Sequence, residues 1–275
     1  MTRIQKPFNG LLILSMLAGC SSPPQSTTAP SKPSTPTASN ANDSASTPAG
    51  NDADSPASAE LFGTAAIRGK VHFEGTRPVP KPLPMSGDAV CSRAAAVLDP
   101  SKIVNPDGTV PNVFVYIKQG ISQRYPAPAE PVLLDQVGCM YVPHVFGIQV
   151  GQTLTIRNSD PTAHNVHSLA TKNNKFNFAQ PTAGMTRNEK FTREEIMVKV
   201  KCDVHGWMST YAGVLNHPFF AVTSDTGEFE ITRLPAGQYT VEIWHETFQK
   251  QQSQITLKAG ETADLNFTYG KVSQP

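Results

Sequence analysis

From residue 61 onward, apolar side chains recur at every second position in short runs, without the three-to-four spacing of a helix. Ile67, Val71 and Phe73 alternate in IRGKVHF, and Val113, Val115 and Ile117 alternate in NVFVYI. Ile148 and Val150 precede a Gly151, Gln152 turn that leads into a second run from Thr153 to Arg157. FFAVTSDTGEFEI and AGQYTVEIW each place strand patterns around a turn, and QITLKAGETADLNFTY repeats the device. Gly, Pro, Asn and Asp separate the runs at the intervals of β-sandwiches, which predicts an all-β fold. Only residues 86–98, SGDAVCSRAAAVL, have room for a helical turn or two.

The run VKVKCDVHGWM carries chemistry as well as pattern. By the two-residue period Ile196, Val198, Val200 and Cys202 share one strand face, with Met197, Lys199 and Lys201 on the other, so the cysteine continues an inward apolar row. His205 and Met208 follow in the spacing C-x2-H-x2-M, and NSDPTAHNVHS, after the Thr153 to Arg157 run, offers His164 and His167. Thiolate and imidazoles in a trigonal plane with a weak axial thioether select copper. A short ligand loop between rigid strands resists the different geometries of Cu(I) and Cu(II), an arrangement suited to electron transfer. Alone, Cys202 reads as a buried core cysteine and Met208 as a gap-filler; their conjunction within seven residues, with a separate histidine at a strand end, favours a site. His164 and His167 are three apart, so an extended chain points only one of them inward. His72, His144, His217 and His245 have no partner at ligand spacing and read as polar or surface histidines.

The HNVH segment after an Asn-bearing strand end, together with the C-x2-H-x2-M loop, resembles the cupredoxins, the blue copper proteins, and among them the amicyanin-like ones, over roughly residues 131–217. The resemblance implies a Greek-key sandwich and one type 1 copper held by His164, Cys202, His205 and Met208. It further implies that Asn165 braces the cysteine loop and that His205 approaches the surface at an apolar patch, with Trp207 beside it as a candidate docking contact. Such loops usually carry Pro directly after the loop histidine, where this chain has Gly206. The implied role is electron transfer with an unidentified redox partner protein, and the chain offers no catalytic constellation, no Gly-rich phosphate loop and no second histidine cluster. Two other readings stand beside it. Copper storage or delivery would favour clustered Met and His, whereas the 7 Met and 7 His are scattered. A carbohydrate- or protein-binding surface module would keep copper as a structural element.

The segment FFAVTSDTGEFEITRLPAGQYTVEIWHE resembles the carboxypeptidase-regulatory or transthyretin-like sandwich, through Asp225, Gly227, Phe229, Ile231, Leu234, Pro235, Gly237 and Tyr239. Those modules begin with a G-x-V strand followed by a later apolar strand, and residues 67–73 and 112–118 look like both. The expected organisation places this sandwich at residues 61–130 and 218–275, around an inserted copper domain at 131–217; the plainer alternative is three successive pieces.

The first 60 residues belong to neither. Arg3 and Lys6 precede a short apolar run from Leu11 to Leu17, about half the length that spans a bilayer, so residues 1–20 read as an export signal. It ends in Leu17, Ala18, Gly19, Cys20, which resembles a bacterial lipobox and implies lipidation of Cys20, an exported lipoprotein and a membrane anchor facing the periplasm or the cell surface. Residues 21–60 hold 10 Ser, 5 Thr, 8 Ala and 7 Pro with no large apolar side chain, a tether with a reach of about 35 Å. The 23 basic and 22 acidic side chains give no basic excess for nucleic acid. With Cys20 acylated, an exported chain retains Cys91, Cys139 and Cys202. If copper holds Cys202, then Cys91 and Cys139 remain to form a disulfide, nominally worth about 3 to 4 kcal/mol. The rival for Cys139, a second metal site with His144, lacks further ligands nearby.

Overall fold

A computed structural model describes residues 61–93 and 96–270. The export signal, Cys20 and the tether at 21–60 lie outside the described residues. The fold is all-β. Its strands are β1 (Ala65–Phe73), β2 (Phe114–Gln119), β3 (Val132–Val137), β4 (Met140–Val142), β5 (Val145–Gln149), β6 (Thr153–Asn158), β7 (His164–Ser168), β8 (Asn177–Gln180) and β9 (Thr186–Lys190). They continue with β10 (Glu195–Lys201), β11 (Ser209–Leu215), β12 (Phe220–Val222), β13 (Glu228–Leu234), β14 (Gly237–Trp244), β15 (Gln251–Leu257), β16 (Thr262–Asp264) and β17 (Phe267–Tyr269). Single 3-10 turns at Met85–Gly87 and Cys91–Arg93 fall within the 86–98 neighbourhood, and a third lies at Pro100–Lys102.

Strands β3 to β11 form two sheets, in the orders β4-β3-β6-β9 and β5-β11-β10-β7-β8. The flanking strands form two more: β12-β2-β14-β15, and β13-β1-β16 with β17 also paired to β1. Each pair of sheets closes on its own apolar core. Ile67, Val115, Ile117, Phe229 and Val241 lie in the core of the flanking sandwich, and Leu134, Ile148, Ile156, Val166, Val200 and Cys202 in that of the β3 to β11 sandwich.

The two sandwiches meet through a third apolar cluster, Phe114, Tyr116, Val145 and Leu215. This explains why β2 is buried along both faces from Phe114 to Ile117: Val115 and Ile117 fill its own core while Phe114 and Tyr116 face the neighbouring sandwich. Gly147 and Gly213 are register partners on β5 and β11. A Cβ at Gly213 would stand 2.2 Å from the Phe114 ring and one at Gly147 2.1 Å from the Phe220 ring, so the rings rest directly on backbone.

Two expectations need correction here. The alternation in β10 does not run unbroken from Ile196, because Met197 adopts φ +61 and the register slips between Glu195 and Val198. This bulge turns Ile196 and Met197 toward the inter-sandwich cluster and leaves only Val198, Val200 and Cys202 in the inward row. His217 and His245 are buried, not superficial: His217 donates from Nε2 to the Ile117 carbonyl at 3.0 Å, and His245 stacks on Phe248. Burial depresses the basicity of both to about 4.

At the base of the bulge, burial alone would raise the Glu195 carboxyl. The amides of Thr171, Lys172 and Asn173 and two side chains donate to it, and they prevail, holding it at about 2. Its folded value lies below the ordinary 4.5, so the stabilisation is complete above that value and is lost as pH falls toward 2. Glu195→Gln should flatten the pH dependence of stability across that window, as followed by urea denaturation at stepped pH. Gly213→Ala should cost about 1 to 3 kcal/mol through overpacking against the fully buried Phe114, and more than Gly147→Ala, whose opposing Phe220 is only half-buried; denaturation midpoints at unchanged m-value check the ranking.

Candidate metal centre

The sandwich of β3 to β11 gathers the candidate ligands at one end. β7 and β10 run antiparallel, with Lys201 opposite His167, and β10 pairs with β11 from Lys201 and Ser209 onward. Residues 202–208 are therefore the connection between β10 and β11, lying beside the start of β7. Along β7, His164, Val166 and Ser168 are buried while Asn165 and His167 are half-buried. His167 thus turns outward and pairs with Asp203 at 2.9 Å, and His164 turns inward. His164, Cys202, His205 and Met208 are each at most 3% exposed.

His164 Nδ1 and His205 Nδ1 stand 3.0 Å apart, with Cys202 Sγ 4.0 Å from His205 Nδ1. The three donor atoms lie within 4.8 Å of one another. Each imidazole is held from its far edge, His164 Nε2 by Asp160 at 2.8 Å and His205 Nε2 by Asp88 at 3.3 Å. With each Nε2–H donating to its carboxylate, each Nδ1 would be left with a lone pair. Burial pushes the His164 imidazole toward its neutral form against the pull of Asp160. Two lone pairs and a sulfur converging in a dry pocket repel unless a cation lies between them. One thiolate and two imidazoles suit copper, and Met208 lies fully buried in the same core cluster as Cys202.

The surrounding bonds fix this set. The Asn165 and His205 amides both reach Cys202 Sγ at 3.4 Å. Asn165 Oδ1 accepts from the Asp203 amide at 3.1 Å, and its Nδ2 donates to Asn177 and to the Phe178 carbonyl, so Asn165 ties the cysteine loop to β8. Tyr141 donates to the carbonyls of Asn165 and Lys201, bracketing β7 and β10. Within the loop, Met208 N donates to the His205 carbonyl at 2.9 Å and Cys202 N to the Met208 carbonyl at 3.1 Å. A Cβ at Gly206 would meet open space, so the loop's shape rests on those bonds and not on the residue after the histidine.

Cys91 and Cys139 form a disulfide, Cα to Cα 5.6 Å, directly behind the histidines. Cys139 and Gly138 make the two-residue turn between β3 and β4, both at positive φ. Their amides donate to Asp160 at 2.8 and 2.7 Å, while the Cys91 and Val90 amides donate to Asp88 at 3.0 and 2.7 Å. The Cys91 amide is the leading cause that lowers the Asp88 carboxyl to about 2.

The expected exposed edge of His205 is not found. His205 is 3% exposed, with Asp88 and Cys91 Sγ on its Nε2, the latter at 3.8 Å, and the Trp207 ring 5.0 Å away. Trp207 is itself half-buried and donates to the Cys139 carbonyl at 3.1 Å. The exposed apolar side chain of the loop is Val204. Sequence reasoning also missed Asp88 and Asp160; their only local signals were an aspartate four residues before His164 and another three before Cys91.

Residues 214–270 match the family described as Carboxypeptidase regulatory-like domain. That stretch covers β12 to β17 and the end of β11, while β1 and β2 complete its sandwich from far earlier in the chain. Among solved structures, a purple cupredoxin from Nitrosopumilus maritimus is 23% identical over 30% of this chain and 98% of its own, with a TM-score of 0.27. A copper-containing nitrite reductase from Thermus scotoductus SA-01 is 22% identical over 36% of this chain and 26% of its own, and a Cu(I) amicyanin variant 20% identical over 36% and 97%, each with a TM-score of 0.28. No curated protein matches the chain. The donor geometry therefore carries the argument about the site.

Replacing Cys91 and Cys139 together by Ser should cost about 2 to 5 kcal/mol of stability in the metal-free protein, read as a drop in the denaturation midpoint, with the all-β circular dichroism retained.

Proposed function

We propose that this chain is a copper-binding carrier of single electrons, anchored to a membrane through a lipidated Cys20. The observation that supports it above all is the facing pair of histidine Nδ1 atoms, 3.0 Å apart beside Cys202 in a buried pocket. His164, Cys202 and His205 would hold the metal, with Met208 as the weak fourth ligand. Copper, when bound, supplies a one-electron Cu(II)/Cu(I) couple. The chain's part is to keep the donors still and dry: two strands, a bonded loop and a disulfide hold them, and their burial excludes water. Such burial favours electron passage over handing the metal to a recipient, which would need reachable ligands. With His205 enclosed, contact with a redox protein falls to the outer loop, Val204 and the exposed edge of Trp207.

Cu(II) added to the full chain should give one equivalent bound and an intense visible band from sulfur-to-copper charge transfer, and Cys202→Ser should abolish the band. A colourless stoichiometric Cu(II) complex overturns the type 1 assignment. Met208→Gln, with its harder oxygen donor, should lower the reduction potential while copper stays bound. Trp207→Ala should leave the spectrum nearly intact yet slow electron exchange with a redox partner; faster copper loss to a chelator at an unchanged exchange rate speaks for storage instead. Cys20→Ser should move the protein from the membrane fraction to the soluble one.

A further inference from the structure

Behind the donor atoms, the two half-cystines and the two aspartates repeat one arrangement. The Cys139 amide donates to Asp160, which holds His164 Nε2; the Cys91 amide donates to Asp88, which holds His205 Nε2. Thr162 Oγ1 adds a further bond to Asp88 at 3.1 Å, and Gly138 N one to Asp160. The disulfide joins the two halves, so neither carboxylate can swing away without moving the other's anchor. Cys91, Cys139 and both histidines are at most 3% exposed and Asp160 is buried with them, while the Asp88 side chain keeps an edge in solvent at 24% exposure.

We propose that Asp88 and Asp160 are positioning residues for the copper, acting through His205 and His164, and that the Cys91–Cys139 disulfide is the brace that holds the pair in register. Their work has two parts. A carboxylate on Nε2–H fixes the tautomer, so the Nδ1 lone pair points at the metal in the empty protein as well as in the loaded one. It also makes each imidazole a stronger donor, which favours Cu(II) over Cu(I) and lowers the reduction potential. Asp88 has a consequence of its own: it and Cys91 come from the segment that connects β1 to β2 of the other sandwich and packs into the core of the first, so a connection between strands of one sandwich would tune a ligand in the other.

The inference rests on the carrier reading, and two measurements separate their failures. In the metal-free full chain, nitrogen-15 spectra of the imidazoles should show His164 and His205 as Nε2–H tautomers, and Asp88→Ala should shift His205 toward a mixture while leaving His164 unchanged. An Nδ1–H tautomer at His205 in the wild type overturns the proposal. In the copper-loaded full chain, Asp88→Asn keeps an acceptor oxygen and removes the charge, and Asp88→Ala removes both. Loss of such a partner costs about 10- to 100-fold in metal affinity; falling on Cu(II) alone, that is a rise in potential of about 60 to 120 mV at 59 mV per tenfold for one electron, larger in Ala than in Asn. Asp160→Asn should act in the same direction through His164. Potentials unchanged in variants that still show the thiolate band and bind one copper overturn the proposal. Absence of that band in the wild type, with the Nε2–H tautomers in place, overturns the carrier reading instead.

Discussion

Two imidazole Nδ1 atoms stand 3.0 Å apart beside a cysteine sulfur in a dry pocket, a crowding of donor atoms that a cation between them would relieve. That constraint organises the surroundings of the site. Each far-edge nitrogen is engaged by an aspartate, which leaves the Nδ1 atoms facing inward. The aspartates stay in place because backbone amides of the two cysteine segments bind them, and those segments stay in place because a disulfide joins them. A left-handed residue at Cys139 is an uncomfortable conformation for anything but Gly or Asn, and it is held here by the disulfide and by the bond from its amide to Asp160.

The same frame draws on both sandwiches. The inner sandwich brings the candidate ligands to one end, but the piece that covers His205 comes from the connection between β1 and β2, whose strands belong to the outer sandwich. Docking of the two is made close by Gly147 and Gly213, on which the rings of Phe220 and Phe114 lie. Pressing a ring on bare backbone leaves little freedom for the sandwiches to slide, and the bulge at Met197 turns two further apolar side chains into the same contact. The covering segment is therefore carried on a rigid base. Its effect is to bury the far edge of His205, leaving Val204 as the exposed apolar side chain of the loop.

The sequence alone determined the all-β character, because a two-residue apolar period between Gly, Pro, Asn and Asp turns has few other solutions. It also marked out the candidate donor types, since C-x2-H-x2-M at the end of an inward-facing strand row is a dense coincidence of soft and imidazole donors. Only the tertiary structure decided how those donors are held. The two-residue period alone does not choose between His164 and His167; the resemblance favours His164, and the burial along β7 shows that it is His164 that turns inward. The β10 alternation looks unbroken until the bulge appears, because one residue in a left-handed conformation leaves no mark on the pattern of apolar letters. Asp88 and Asp160 are two acidic residues among 22, and nothing local tells them from solvated ones. What sets them apart is contact with residues 117 positions away in one case and 4 in the other, formed only when the disulfide turn, the strand end and the ligand loop meet. Periodicity records which side of a strand faces the core; it holds no record of which loops from distant strands close over the end of the sandwich, and that closure is what encloses His205.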